Sequence, residues 1–305
     1  MTAELRLGTR GSELAMVQAR WIAERLRSVA GIRSRLEIIS TTGDQEQLQP
    51  SETRVWSMGA FVKEIESALL DRRIDLAVHS YKDMAATSTP GLLVAAVPAR
   101  AAPHDLLVFA GARYRETVQE ALAENNQVSD LIVGTSSPRR SAQLSAALGA
   151  RIVPLRGNVP TRLAKLAHAS DTDDIHAVSL AAAGLERLGI APKHALALDI
   201  DRFPTAAAQG ALAVQVRDDA PWAQEVFAIE DESTRRATDA ERSFLRAINA
   251  GCHTPAAAHA VNAGPDIRLH AEMFDDSLRR AHAICRGQDP MAIGLEAGTR
   301  VLACL

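Results

Sequence analysis

Apolar positions along this chain alternate between two periods. Residues 5–7 read as a short strand. Over residues 12–28, Leu14, Val17, Trp21, Ile22 and Leu26 recur at helical spacing, with Ser12 placed to cap the helix. Residues 35–41 are strand-like, Phe61, Ile65, Ala68 and Leu69 mark a second helix, and 74–78 and 92–97 read as buried strands. The polar stretch 43–58 has neither period and predicts a loop.

From about residue 105 the pattern repeats in kind. Strands are predicted at 106–109, 131–133, 151–155 and 175–180, and helices at 138–148, 160–167 and 181–188. Pro138 and Pro160 fall at first helical positions, where a missing N–H costs nothing. Such alternation predicts mostly parallel sheets, with ligands beyond the strand C-termini. Thr135, Ser136, Ser137, Arg156 and the segment from His79 to Asp83 fall there.

The last part differs. A helix is predicted at 234–248. Ile267, Leu269, Ala271 and Met273 alternate with Arg268, His270 and Glu272, predicting a half-buried antiparallel strand. Ala281, Ala283 and Cys285 alternate similarly, and a helix is predicted at 290–302. The expectation is an α/β chain closed by a small α+β domain.

Charge and composition narrow the function. The 305 residues carry a formal net charge of −3, which argues against a nucleic-acid binder. Cys252, Cys285 and Cys304 offer neither a disulfide framework nor a CxxC pattern. The first residues lack the order of a signal peptide and no apolar run approaches a membrane span, so a cytoplasmic protein is expected. Neither HExxH nor a nucleotide-binding glycine motif occurs, so no metal or nucleotide is expected. His79 reads as a packed or hydrogen-bonded histidine rather than a base.

Against this near-neutral background, arginines gather in two turns, at residues 134–140 and 155–162. Each follows a strand-like run and opens a helix-like one. Helix N-termini favour anions, and the forks of Arg139, Arg140, Arg156 and Arg162 suit carboxylates. A small ligand bearing several carboxylates is the predicted occupant.

The ordered set Gly8-Thr-Arg-Gly-Ser12, Thr41-Thr-Gly-Asp44, Phe61-Val-Lys-Glu64, Val78-His-Ser-Tyr-Lys-Asp83, Val133-Gly-Thr-Ser-Ser-Pro-Arg-Arg140, Leu155-Arg-Gly-Asn-Val-Pro-Thr-Arg162, Ala183-Gly-Leu-Glu-Arg-Leu-Gly189, Gln209-Gly210 and Gly251-Cys252 resembles the hydroxymethylbilane synthase (porphobilinogen deaminase) family. The resemblance runs through nearly the whole chain. It implies two doubly wound, periplasmic-binding-protein-like domains, 1–101 with 198–217 and 102–197, and a third, 218–305. It also implies a monomeric transferase of heme and tetrapyrrole biosynthesis, taking porphobilinogen and needing neither nucleic acid nor membrane.

By the same resemblance, Cys252 would hold a dipyrromethane cofactor through a thioether, and Asp83 would be the catalytic carboxylate. Lys82, Ser137, Arg139, Arg140 and Arg162 would bind the cofactor. Arg10, Ser12, Gln18, Lys63, Thr135, Ser136, Arg156 and Arg187 would bind substrate or the growing chain. Cys285 and Cys304 are read as structural. On residue types alone, a buried structural cysteine is the commoner reading of Cys252, and a solvated loop carboxylate paired with Lys82 the commoner reading of Asp83. The chain departs from the family pattern at Met58, Met84-Ala85, Ala208 and Ala250, and in the hinge at residues 100–105. The alternative reading is a divergent paralogue, or a two-lobed binding protein for a polycarboxylate pyrrole.

Overall fold

The computed structural model describes residues 4–39, 60–168, 175–251 and 253–305. The chain begins β1 (Leu5–Thr9), α1 (Glu13–Ala30), β2 (Ser34–Ile38), α2 (Ala60–Leu70), β3 (Leu76–Ser80) and β4 (Leu92–Ala96). It continues β5 (Asp105–Phe109), α3 (Ala112–Glu124), β6 (Ile132–Gly134), α4 (Pro138–Leu148), β7 (Arg151–Val153) and α5 (Val159–Ala167). Then come β8 (Ala177–Ala181), α6 (Ala182–Arg187), β9 (Ala195–Ala197), β10 (Leu212–Arg217), α7 (Ala223–Val226) and α8 (Glu232–Ala247). The last elements are β11 (Ala256–Ala263), β12 (Asp266–Phe274), β13 (Arg280–Gly287) and α9 (Pro290–Leu302).

Two compact units result, Met1–Ala101 with Ala208–Asp239, and Ala102–Ala207 with Ala240–Leu305. The first is built on a sheet of order β2-β1-β3-β10-β4. Its strands alternate faces: Leu76 and Val78 pack with Ile22 and Leu26 of α1, whereas Ala77 packs with Ile65 and Leu69 of α2. Helices on both faces make the sheet doubly wound. Ser12 caps α1 by accepting from the Ala15 N–H, and Gly31 ends it in the left-handed conformation at φ 66°.

The second unit carries a sheet of order β7-β6-β8-β5-β9 and a separate antiparallel sheet, β11-β12-β13. In β5, Leu107 and Phe109 join one core with Val118 of α3 and Leu144 of α4, while Val108 joins another with Leu166 of α5 and Leu185 of α6. This unit is again doubly wound. The antiparallel sheet packs its apolar face on α9, with Ala283, Cys285, Ile293, Ala297 and Val301 buried.

Both large sheets are mixed rather than mostly parallel. β10 runs antiparallel to β3 and β4, and β5 runs antiparallel to β8 and β9. Residues 198–207 also stay with the second unit, because Leu198 and Phe203 fill its core. Residues 218–239 belong to the first unit, where Ala220, Val226 and Ile229 pack. The expected loop at 43–58 lies outside the described residues.

Candidate functional site

In the first unit, parallel β1 and β3 are neighbours, with Leu7 opposite Leu76 and Gly8 opposite Ala77. Their C-terminal ends therefore deliver Arg10 and Ser12 beside the 3-10 turn Tyr81–Asp83. Buried Gln18 reaches from α1 to Ser80, its Nε2 donating to the hydroxyl at 3.1 Å. Antiparallel β10 starts at this same end, with Leu212 opposite Ser80. The preceding turn holds the fully buried Gln209, whose Oε1 accepts from Lys82 Nζ at 3.2 Å. Asp83 is half-buried, and no described residue pairs with its carboxylate. Arg10, Ser12, Gln18, Lys82 and Asp83 are thus gathered at one sheet end. Lys63 is exposed on α2. His79 is buried against Gln215, 3.0 Å from its Oε1, and burial lowers its pKa to about 4.

In the second unit, parallel β6, β7 and β8 point their C-terminal ends the same way. They lead into the turn before α4, the turn before α5, and α6. The turns need their glycines: a Cβ at Gly134 would lie 2.9 Å from Leu155, and Gly157 takes φ 119°. Buried Thr135 accepts from the Ser137 N–H at 3.2 Å, and Ser137 caps α4 by accepting from the Arg140 N–H. Ser136 is exposed.

Antiparallel β5 begins where β8 ends, Asp105 lying opposite Ala181. That register brings one carboxylate into the arginine cluster. Arg140 donates to Asp105 Oδ1 from Nε at 3.1 Å and NH2 at 2.6 Å, and Arg139 NH1 lies 2.8 Å from Oδ2. Burial alone would raise the Asp105 pKa, but the two guanidinium groups hold it well below the usual carboxylate range. Arg139 and Arg140 are both buried, so their forks are committed first to Asp105.

The remaining arginines carry charge that Asp105 does not balance. Arg162 donates to the Gly157 carbonyl at 2.7 Å, and burial, then Arg140, lowers its pKa. Burial lowers that of Arg187 to about 10. Arg156 is exposed at the head of its turn. Arg139, Arg140 and Arg162 are cations close enough to repel one another, and such a group favours an anion of high charge, which suits a dipyrromethane bearing several carboxylates.

Sequence reasoning missed Asp105, Gln209 and Gln143. Asp105 and Gln209 reach their sites through antiparallel strands, and only that register brings them there. Gln143 lies four residues after Arg139, the helical spacing at which side chains meet, and accepts from its NH1 at 2.8 Å. Cys252 lies outside the described residues. Cys285 is buried, with its thiol pKa pushed up by burial, whereas Cys304 is exposed rather than packed.

Residues 5–225 match the porphobilinogen deaminase dipyromethane cofactor binding domain, and 236–303 match the porphobilinogen deaminase C-terminal domain. The chain belongs to the porphobilinogen deaminase family. The porphobilinogen deaminase of Syntrophotalea carbinolica is 38% identical over 99% of this chain and 93% of its own length. That of Moorella thermoacetica is 39% identical over 98% of this chain and 93% of its own. Among solved structures, a periplasmic substrate-binding protein from Coxiella burnetii covers 76% of this chain and 94% of its own at 13% identity and TM-score 0.43.

Proposed function

We propose that this chain is a hydroxymethylbilane synthase. It joins four porphobilinogens head to tail, releasing ammonia and a linear tetrapyrrole, from a dipyrromethane held by thioether on Cys252. The observation that carries the reading is the arginine cluster at the end of β6, β7 and β8, in a chain of this family. The cofactor supplies the pyrrole end from which the chain grows.

The residues divide the remaining work. Arg139, Arg140 and Arg162, with Lys82 and Ser137, hold the acid arms of the cofactor. Arg10, Ser12, Gln18, Lys63, Thr135, Ser136, Arg156 and Arg187 receive those of the incoming substrate. Asp83, half-buried in the turn at this sheet end, accepts a pyrrole N–H and stabilises positive charge as the amine departs. The free thiols of Cys285 and Cys304 suit a reducing cytoplasm, where the chain acts as a monomer.

Intact mass after denaturation tests the reading. The wild-type chain should carry a dipyrromethane increment, and Cys252→Ser should lack it. A bare wild-type mass that stays unchanged after incubation with porphobilinogen sinks the proposal in favour of a binding protein. Asp83→Asn should keep the fold and the increment while losing ~10²–10⁴ in turnover, the usual worth of general acid–base help. Near wild-type turnover in that variant would remove Asp83 from the chemistry.

A further inference from the structure

The antiparallel sheet contains a carboxylate where its pattern predicts solvent. Glu272 lies mid-strand in β12 and is fully buried, with 0% exposure. A buried carboxylate is tolerated only when its oxygens find donors. Here Oε2 accepts from Arg280 Nε at 2.6 Å, and Oε1 accepts from Gln143 Nε2 of α4.

Gln143 is then bonded at both ends of its amide. Its Nε2 also donates to the Pro204 carbonyl at 2.7 Å, and its Oε1 accepts from Arg139 NH1 at 2.8 Å. Arg139 continues to Asp105, and Asp105 to Arg140. A continuous path therefore runs from Arg280 on β13 through Glu272, Gln143, Arg139 and Asp105 to Arg140, all within the second unit. An ionised carboxylate only accepts, so Glu272 fixes which end of the Gln143 amide faces the sheet. A flipped amide would set donors against Arg139.

Position in the sheet adds a second connection. Glu272 is the register partner of Ala257 on β11. That strand begins at Ala256, shortly after Cys252 in sequence. Glu272 thus links the sheet whose first strand follows the attachment cysteine in sequence to the helix α4 that carries Arg139 and Arg140.

We propose that Glu272 is a positioning residue for cofactor loading. Acting through Gln143, it sets the Arg139–Asp105–Arg140 arrangement against the sheet that follows the attachment point. The chain is thereby prepared to grip the acid arms of a pyrrole ligand tethered at Cys252. The inference rests on the proposed function.

The test follows loading of the full-length chain, prepared without cofactor, on addition of porphobilinogen, by intact mass alongside the thermal midpoint. Glu272→Leu should load roughly tenfold more slowly per folded molecule, the factor for a buried hydrogen bond left unmade. Gln143→Glu should also slow loading, because it sets two carboxylates against each other. Combining Gln143→Glu with Glu272→Gln reverses the polarity of the pair but leaves the Pro204 carbonyl without its donor, so it should recover part of the loading lost in Gln143→Glu, by the coupling expected of contacting residues. Wild-type loading by folded Glu272→Leu would overturn the proposal. So would a double variant that regains the thermal midpoint but none of the lost loading rate. Should Glu272→Leu not fold, the Gln143→Glu variant and its combination decide by the same criteria. Failure of the wild type to load would instead strike the functional reading itself.

Discussion

Leu278 is half-exposed at 47% and takes φ 60° in the turn between β12 and β13. Its N–H donates to the Asp275 carbonyl at 3.0 Å, and Asp275 Oδ1 accepts from the N–H groups of Ser277 and Arg279. This is a tight hairpin turn followed by a left-handed residue, a place that suits glycine. A leucine there bears ~1–2 kcal/mol of left-handed strain. Glycine would relieve it while restoring ~0.4–1 kcal/mol of unfolded-state entropy. Leu278→Gly should therefore stabilise the protein by about 0.5–1 kcal/mol, read from the urea midpoint at constant slope. An unchanged or lowered midpoint would mean that the exposed leucine contributes packing that its contacts do not suggest. At this scale the sequence showed the cationic half of the arginine cluster, because arginines after strand-like runs are visible in one dimension. Its anionic partner Asp105 was not visible as such. Asp105 lies 35 positions before Arg140, on a strand whose direction no local pattern encodes.

At the scale of elements, α8 and α9 approach so closely that two glycines are required in α9. A Cβ on Gly294 would lie 2.5 Å from the Ala240 carbonyl oxygen and 2.7 Å from the Phe244 nitrogen, and one on Gly298 would lie 2.4 Å from the Ala247 Cβ. Alanine is the better helix former by ~0.8–1.0 kcal/mol, so propensity favours Gly294→Ala. Overpacking against backbone opposes it by ~1–3 kcal/mol. The clash involves main-chain atoms that cannot swing aside, so packing wins, and the variant should lower stability by about 1–2 kcal/mol. A raised thermal midpoint would show that the helices separate at little cost. Element legibility followed the same logic of local against distant causes. The helix Pro138–Leu148 and the helix Pro290–Leu302 were readable to the residue, because proline and an apolar stripe are local. The helix Ala112–Glu124 was missed, since only Val118 and Ala121 of it are buried. The strand Ala256–Ala263 was missed because its alanines carry no strand signal. The burial of β12 on both faces was misread, because the group that covers Glu272 comes from Gln143, 129 positions earlier.

For the molecule as a whole, buried histidines shape the response to acid, and burial lowers the pKa of His79 in the first unit and of His176 and His270 in the second. His79 in the first unit faces Gln215 and Glu66, and burial lowers its pKa to about 4 despite the nearby carboxylate. His270 in the second is 5% exposed, with both ring nitrogens unpartnered among the described residues. Burial first, then Arg280, His282 and Arg268, lowers its pKa to about 4 against a weaker opposing effect of Asp201. In the unfolded chain these groups take up protons near 6.5. Between pH 6.5 and 4 the unfolded state therefore binds more protons, and stability falls with pH. At ~1.36 kcal/mol per unit, His79 and His270 each account for about 3 kcal/mol at the acid end of that window. Asp105 and Asp75, both held below the ordinary carboxylate range, withdraw their stabilisation only at lower pH. Glu272 works the other way: its pKa is raised by burial, so the folded state takes its proton first and part of the loss is offset. Urea midpoints should thus decline from pH 6.5 toward 4.5, and His79→Gln should flatten the decline by less than half, since His270 and His176 keep their lowered pKa values. A midpoint that holds constant across this window in the wild type would mean that these imidazoles charge within the folded units. Burial would then not hold them neutral.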